Sequence, residues 1–200
     1  MRDLDIDVCK TALLLMDCQN GILASLCAEK RDELLSHLRK ILVASREAGL
    51  QIFYVVVQFR ADYPEVSSGN ERFAAAKALG TLLMGSESAQ IHSEIEPHGG
   101  DIVVTKKRVS AFAGSDLEII LRAREIDTLV LTGVSTLGVV ESTARSAADM
   151  DYRVVVLEDG CADSSLAAHN AAMQYVIPFS AMMASCDQFI QQITSTSWDR

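Results

Sequence analysis

Two charged residues stand directly after apolar runs and are the first candidates for chemistry. Asp17 follows the run TALLLM, and Lys106 follows the run DIVVT. A carboxylate at the end of a buried strand is partly removed from water, which raises its pKa toward values useful for acid–base catalysis. A lysine within reach keeps such a carboxylate ionised and holds an anionic substrate group. The residues alone also fit plainer roles, with Asp17 capping the turn DCQNG and Lys106 pointing into water.

A third candidate is the segment TGVSTLGVVESTARSAA, which predicts a strand, a glycine turn and a helix. The first turn of the helix presents unpaired N–H groups, which suit an anion or a developing oxyanion. The segment equally fits an ordinary turn with Ser135 or Thr136 as the helix N-cap. It also partly matches the nucleophile elbow of α/β-hydrolases, with Asp159 or Asp163 and then His169 following in the required order, but the spacing from Gly133 to Gly138 is one residue too long.

The elements that position these residues follow from the pattern of apolar runs. Five runs are rich in β-branched residues and nearly continuous, as in strands buried on both faces, and a weaker sixth run follows. Helical spacing fills the intervals, so the connections are βαβ crossovers and the strands are parallel. We therefore predict a three-layer α/β/α sandwich, Rossmann-like, with a six-stranded, mainly parallel sheet. The predicted strands are 11–17, 51–58, 101–105, 127–133, 152–159 and 179–185.

This architecture predicts where the site lies. Ligands of open α/β sheets bind outside the carboxyl ends of the strands, near a switch in strand order. We expect Asp17, Lys106 and the turn 135–139 to face one cleft there, with the two charged groups within direct or one-water hydrogen-bonding reach. The segment 60–95 lacks a clear strand, and we expect it to form a lid or substrate loop.

Length and charge limit the possible partners. The chain has 200 residues, of which 49% are hydrophobic and 22% charged, and its formal net charge is −9. One domain over residues 1–200 is the simplest interpretation. An acidic surface repels nucleic acid and anionic lipid, so neither nucleic acid nor a membrane is expected as a partner.

The cysteines and histidines indicate the compartment and the cofactors. Five cysteines, an odd number with no C-x-x-C pair, predict reduced thiols. With no secretory signal or membrane-spanning run visible, we expect a cytoplasmic protein. The four histidines show no metal-binding spacing, and no phosphate-binding glycine motif is present, so we expect neither a metal nor another cofactor.

Taken together, three motifs resemble the isochorismatase-like hydrolase superfamily. They are LLLMDCQNG, TKKRVSAFAGSDLE and IDTLVLTGVSTLGVVESTARSAADMDYRVVVLED, and the resemblance runs from about residue 11 to about residue 163. It implies a hydrolase in which Asp17 is the catalytic aspartate and Lys106 the catalytic lysine. The position of the family's nucleophilic cysteine is occupied by Val139.

Val139 narrows the chemistry that the resemblance implies. A valine forms no acyl or thioimidate intermediate, on which the amide- and nitrile-hydrolysing branches depend. The metal motif of the nicotinamidases is also replaced, by QFRADYPEV. True isochorismatases carry glycine at this position and hydrolyse a vinyl ether to pyruvate and a dihydroxy-cyclohexadiene carboxylate. The resemblance therefore implies cysteine-independent hydrolysis of isochorismate or a related enol ether, with Asp17 as the acid. The alternatives are a hydrolase of another small substrate and a non-catalytic binding or scaffold protein.

The resemblance also implies a binding site for a small anionic substrate. Gln58 matches a glutamine that closes the second strand in isochorismatases, and Arg60 is expected to pair with a substrate carboxylate. A cis peptide bond between Val134 and Ser135 and assembly into a homodimer or homotetramer are further expectations from the family. The residues implied to bind substrate are Gln58, Arg60, Phe112, Ser135 and Gly138.

Overall fold

A computed structural model describes residues 4–195 of the chain. Six strands form one parallel sheet with the order β3-β2-β1-β4-β5-β6, which confirms the predicted fold class. The strands are β1 (Thr11–Met16), β2 (Gln51–Val57), β3 (Ile102–Lys106), β4 (Thr128–Val134), β5 (Arg153–Ala162) and β6 (Met182–Ala184). The helices are α1 (Asn20–Leu23), α2 (Ala28–Ala48), α3 (Glu71–Leu79), α4 (Leu117–Ala123), α5 (Glu141–Asp149), α6 (Leu166–Ala171) and α7 (Cys186–Ser195).

The order of the strands creates a switch point at the centre of the sheet. The chain builds outward from β1 through β2 to β3, then returns beside β1 with β4 and builds through β5 to β6. The register pairs Met16 of β1 with Gly133 of β4, and Val57 of β2 with Lys106 of β3. The carboxyl ends of four strands therefore lie side by side, which is where an open α/β sheet binds its ligands.

Strand β1 shows why its sequence is apolar throughout. Leu13 and Leu15 belong to the hydrophobic cluster that contains residues of α2 and α7, whereas Leu14 and Met16 belong to the cluster that contains residues of α4 and α5. Successive side chains of a strand point to opposite faces, so a sheet covered on both faces needs apolar residues at every position. The sheet is the middle layer of the predicted three-layer sandwich.

Helix α2 is amphipathic and ends at a glycine. Leu34, Leu38 and Ile41 are buried against the sheet at helical spacing. Gly49 ends the helix in the left-handed conformation, with φ +79°, which glycine adopts without steric cost. Among residues 4–195, no helix combines the length and the apolar composition needed to cross a membrane.

Two elements near the carboxyl end of the chain differ from the predicted bounds. Strand β6 contains three residues rather than the seven predicted, because residues 177–179 form a 3₁₀ turn before it. Residues 167–176, whose apolar spacing predicts a single helix, are divided between α6 and a π-helical turn, Ala172–Val176. Both regions are rich in apolar residues, whose periodicity does not separate a short strand from a tight turn.

The segment between β2 and β3 carries helix α3 and two short 3₁₀ turns, and no long strand lies within it. A small cluster holds it to the sheet, with the rings of Phe59 and Phe73 5.4 Å apart and Tyr63 packed beside Phe59. Asn70 caps α3 by accepting a hydrogen bond from the backbone N–H of Phe73. This packing brings one end of α3 over the carboxyl edge of the sheet.

Candidate active site

The structure brings Asp17 and Lys106 into direct contact across the end of β2. The ammonium Nζ of Lys106 donates to Asp17 Oδ2 at 2.8 Å and to the carbonyl oxygen of Val109 at 2.7 Å. Only 1% of Lys106 and 7% of Asp17 is exposed. Neither residue therefore has the plainer role of an exposed lysine or a simple turn cap, and both belong to one buried ion pair.

Burial makes the Asp17 carboxyl a weaker acid than a free aspartate. Desolvation raises its pKa from 3.8 to about 6, although the positive charges of Lys106 and Arg72 act in the opposite direction. Desolvation also lowers the pKa of Lys106, against the effect of Asp17. Asp17 Oδ1 is buried and has no hydrogen-bond partner among the described residues. The carboxyl group can thus carry or release a proton near neutral pH.

The backbone around Asp17 is fixed by the glutamine two residues later. Asp17 itself has φ +56°, a left-handed conformation that aspartate tolerates better than most residues. The fully buried side chain of Gln19 donates to the carbonyl oxygens of Val57 and Ala89 and accepts a hydrogen bond from the N–H of Val57. The D-x-Q spacing therefore joins the end of β1 to β2 and to the segment beyond it, a positioning role that the sequence did not reveal.

The turn after β4 forms the opposite side of the same floor. Gly133 has φ +130°, and a Cβ there would collide with the carbonyl oxygen of Met16, so only glycine lets β4 approach β1 so closely. The Val134–Ser135 peptide bond is cis, as the family resemblance predicts. The carbonyl oxygen of Ser135 accepts hydrogen bonds from the N–H groups of Gly138 and Val140, which closes the turn.

These groups surround a cleft of about 470 Å³. We call Asp17, Lys106 and the turn 135–139 its floor, and the side formed by Arg72, Phe73 and Ala76 of helix α3 its α3 wall. The floor contains five of the residues that the sequence indicated: Asp17, Lys106, Ser135, Gly138 and Val139.

Arg72 is the principal residue of the cleft that the sequence did not predict. A Cβ built on Gly138 would lie 2.8 Å from Arg72 Nη2, so the guanidinium lies directly over this glycine. Its charge also acts on Asp17 and Lys106. The only sequence signal was indirect: Arg72 is a cation within the segment expected to act as a lid or substrate loop.

Three residues expected to bind substrate lie outside the cleft. The side chain of Gln58 turns to the carbonyl oxygen of Ala89, at 3.3 Å. Arg60 is exposed and pairs with Glu65 at 2.6 Å. Phe112 stacks on Tyr152, with ring centroids 5.9 Å apart. Each side chain contacts another residue of the chain, and none of the three lines the cleft that the described residues form.

No cysteine among the described residues lines the cleft, so none is placed to act as a nucleophile beside Val139. Val139 is 2% exposed and lines the cleft, whereas none of the five cysteines, all within the described residues, does so. Cys161, Cys18 and Cys186 are buried, and burial raises the pKa of each thiol. A buried, protonated thiol is a poor nucleophile. The cleft therefore offers an acid and two cations but no sulfur.

The turn 135–139 is also stabilised by hydrogen bonds to two residues that the nucleophile-elbow alternative assigns to catalysis. His169 Nδ1 lies 2.8 Å from the hydroxyl of the fully buried Thr136, rather than beside Ser135. Asp163 accepts hydrogen bonds from the N–H groups of Leu137 and Ser165. These contacts stabilise the turn and do not form a Ser–His–Asp triad.

Comparison with known proteins agrees with this geometry. Residues 11–188 match the isochorismatase domain. The chain is 32% identical to the uncharacterized isochorismatase family protein YecD of Escherichia coli O157:H7, over 95% of this chain and 100% of the relative. It is 28% identical to the ureidoacrylate amidohydrolase RutB of Acinetobacter baylyi, over 94% and 88% of the two chains. The crystal structure of a cysteine hydrolase from Pseudomonas syringae pv. phaseolicola has the same fold, with a TM-score of 0.86, 21% identity and 95% of each chain covered. This chain therefore belongs to the isochorismatase family of hydrolases.

Proposed function

We propose that the protein hydrolyses a small anionic enol ether, with isochorismate as the first candidate, by acid catalysis without a covalent thiol intermediate. The observation that carries the proposal is the composition of the cleft. A buried carboxyl with a pKa of about 6 shares the floor with Val139, which the sequence resemblance assigns to the position of the nucleophile in the cysteine-dependent members.

The proton of Asp17 begins the proposed reaction. Asp17 transfers it to the terminal methylene carbon of the enol-pyruvyl group, and an oxocarbenium ion forms at the ether carbon. Water adds to that carbon and gives up a proton to the carboxylate, which restores the acid. The hemiketal then collapses: the bond between its central carbon and the ring oxygen breaks, the proton of its hydroxyl group passes to that oxygen, and pyruvate and the ring alcohol leave. Only an acid, an anion-binding group and a water molecule are needed.

Two cations support an anionic substrate. Lys106 uses one of its three donors on Asp17 and one on the carbonyl oxygen of Val109, which leaves a third for the substrate. Arg72 projects from the α3 wall over Gly138, and its planar guanidinium suits a carboxylate. In this proposal Lys106 serves both Asp17 and the substrate anion, and Arg72 replaces the expected Arg60 as the partner of a substrate carboxylate.

Amide hydrolysis is the second candidate, because one relative carries the name ureidoacrylate amidohydrolase. An amide is a poor electrophile, and amidases of this type form an acyl intermediate on a thiol. Val139 supplies no nucleophile, so direct attack by water would have to replace that step. A non-catalytic binding protein is the third candidate, but such a protein has no need for a buried acid paired with a lysine.

The test compares two products from two substrates. Purified protein is incubated with isochorismate, with pyruvate followed by lactate dehydrogenase, and with ureidoacrylate, with ammonia followed by glutamate dehydrogenase. We expect catalytic release of pyruvate and no ammonia. Ammonia without pyruvate would favour the amidohydrolase reaction, and neither product would favour another substrate or a binding function.

A further inference from the structure

Three side chains outside the cleft form a compact set of metal-binding donors. His37 of α2, Asp159 of β5 and Cys186 of α7 each offer a ligand atom, and these atoms lie within 4.8 Å of one another. His37 and Asp159 are 122 positions apart in the chain, and Asp159 and Cys186 are 27 apart, so no local spacing motif predicts the cluster. The fold alone assembles an imidazole nitrogen, a carboxylate oxygen and a sulfur.

This donor set has the chemistry of a zinc site. Zn²⁺ binds cysteine sulfur at about 2.3 Å and histidine nitrogen or carboxylate oxygen at about 2.0–2.2 Å, in a tetrahedral arrangement. Bonds of that length place neighbouring ligand atoms roughly 3.3–3.8 Å apart. His37 Nδ1 lies 3.9 Å from Asp159 Oδ2. The ligand atoms, which lie within 4.8 Å of one another, must therefore move closer together when an ion binds.

Existing contacts hold the carboxylate and the thiol in place. The N–H of Cys186 donates to Asp159 Oδ1 at 2.7 Å, which fixes the carboxylate at the start of α7. A Cβ on Gly160 would lie only 3.3 Å from the sulfur of Cys186, so the glycine leaves room around the thiol. A hydrogen bond to a ligating carboxylate is typical of metal sites. His37 Nδ1 lies 2.8 Å from the carbonyl oxygen of Asp159, so an ion bound at Nδ1 must replace this hydrogen bond.

Two of the three ligands line a pocket that opens to solvent. The pocket has a volume of about 200 Å³ and contains His37 and Asp159, and its other charged residues are Lys30, Glu33, Glu158 and Asp163, so negative charge predominates. His37 and Asp159 are partly exposed, whereas Cys186 is buried and does not line the pocket. The negative lining attracts a cation, and the buried sulfur discriminates in favour of soft transition metals over Mg²⁺ and Ca²⁺.

We propose that His37, Asp159 and Cys186 bind one divalent zinc-class ion, with water as the fourth ligand. The ion joins α2, β5 and α7 and stabilises the packing of these elements. A cysteine binds a metal as the thiolate, so binding displaces the proton of the Cys186 thiol and becomes stronger as the pH rises. The cluster is separate from the floor of the cleft, and the proposal does not depend on the hydrolase reaction.

Cobalt is the probe, because a cysteine thiolate bound to Co²⁺ gives a near-ultraviolet charge-transfer band. The reduced protein, in a Cys9→Ser/Cys27→Ser background that removes the two exposed thiols, is titrated with Co²⁺ alone. We expect a band that saturates at one equivalent, disappears on addition of Zn²⁺ and grows with pH. The absence of this band would overturn the proposal, whatever the enzymatic activity.

Variants assign the ligands. Cys186→Ser should abolish the band, and His37→Gln and Asp159→Asn should weaken Co²⁺ binding by at least roughly the 10- to 100-fold that even an outer-shell change costs. Cys18→Ser is the matched control, because this buried thiol belongs neither to the cluster nor to the pocket beside it. Zn²⁺ should raise the thermal midpoint of the parent and of Cys18→Ser but not of His37→Gln. His37 is at the surface of α2, so this variant is expected to fold even if Cys186→Ser does not. A band that survives in His37→Gln with unchanged affinity would overturn the assignment.

Discussion

The floor and the α3 wall of the cleft are built in different ways. Asp17 and Lys106 stand at the ends of strands, are almost fully buried and are bonded to each other. Arg72 is exposed and projects from a nine-residue helix whose buried anchor is Phe73. A buried pair on a rigid sheet suits a proton transfer, which depends on fixed geometry and on a shifted pKa. An exposed cation on a short, lightly anchored helix suits recognition of a charged substrate. The difference predicts that changes in the floor alter turnover and that changes in the wall alter substrate binding.

The largest expected effect follows from Asp17→Asn. The amide keeps the shape of the side chain and tolerates the left-handed backbone, but it carries no transferable proton. We expect kcat for isochorismate to fall by about 10²- to 10⁴-fold, with a much smaller change in KM. Steady-state pyruvate release measures both constants, and circular dichroism checks that the variant is folded. Equal turnover in the variant and the wild type would show that Asp17 is not the acid.

The wall is tested by a pair of arginine substitutions. Arg72→Ala removes the guanidinium over Gly138, and we expect KM to rise roughly 10- to 100-fold, which corresponds to the loss of one charge-assisted hydrogen bond. Arg60→Ala is the matched control, because Arg60 pairs with Glu65 away from the cleft and should leave KM unchanged. The same kinetic assay measures both variants. The opposite result, a raised KM for Arg60→Ala alone, would restore the interpretation made from the sequence.

The dependence of rate on pH gives a smaller effect with a defined sign. The proposed acid must be protonated in the free enzyme, and burial raises the pKa of Asp17 to about 6. The value of kcat/KM should therefore be highest below pH 6 and fall by up to roughly tenfold per unit above it. A value of kcat/KM that instead rises through pH 6 would mean that the carboxylate acts as a base, as direct water attack on an amide requires. The profile thus distinguishes the two candidate reactions.

The sheet and part of the floor could be predicted because their signals are local. The continuous apolar run of β1 reports a strand buried on both faces, and residues that follow such a strand must lie at the carboxyl edge. Position at a strand end does not fix the direction of a side chain, however. Gln58 follows β2 just as Asp17 follows β1, yet it turns to the backbone of Ala89. The choice between these directions depends on packing with a segment about thirty residues away, which no local pattern encodes.

The α3 wall could not be predicted for the same physical reason. Arg72 reaches the cleft because Phe73 packs on Phe59, and because an isolated bridge joins Phe59 to Leu83. Neither contact leaves a periodic trace in the sequence. The cluster of His37, Asp159 and Cys186 is a stronger example, since three separate elements supply one group each. Tertiary packing, rather than propensity, assembles both features.

The smallest expected effect separates the floor from the thiols of the chain. Iodoacetamide should alkylate Cys9 and Cys27, which are exposed, and spare Cys18, Cys161 and Cys186, whose burial raises their pKa and hides their sulfur. Because no thiol lines the cleft among the described residues, we expect pyruvate release to remain unchanged after alkylation. Mass spectrometry identifies the modified residues, and a Cys9→Ser/Cys27→Ser variant is the matched control, since it should react little and retain full activity. Inactivation that follows modification of a single cysteine, and that substrate prevents, would mean that a sulfur does reach the reacting bond. The floor would then contain a nucleophile, and the proposal that it supplies only an acid would be wrong.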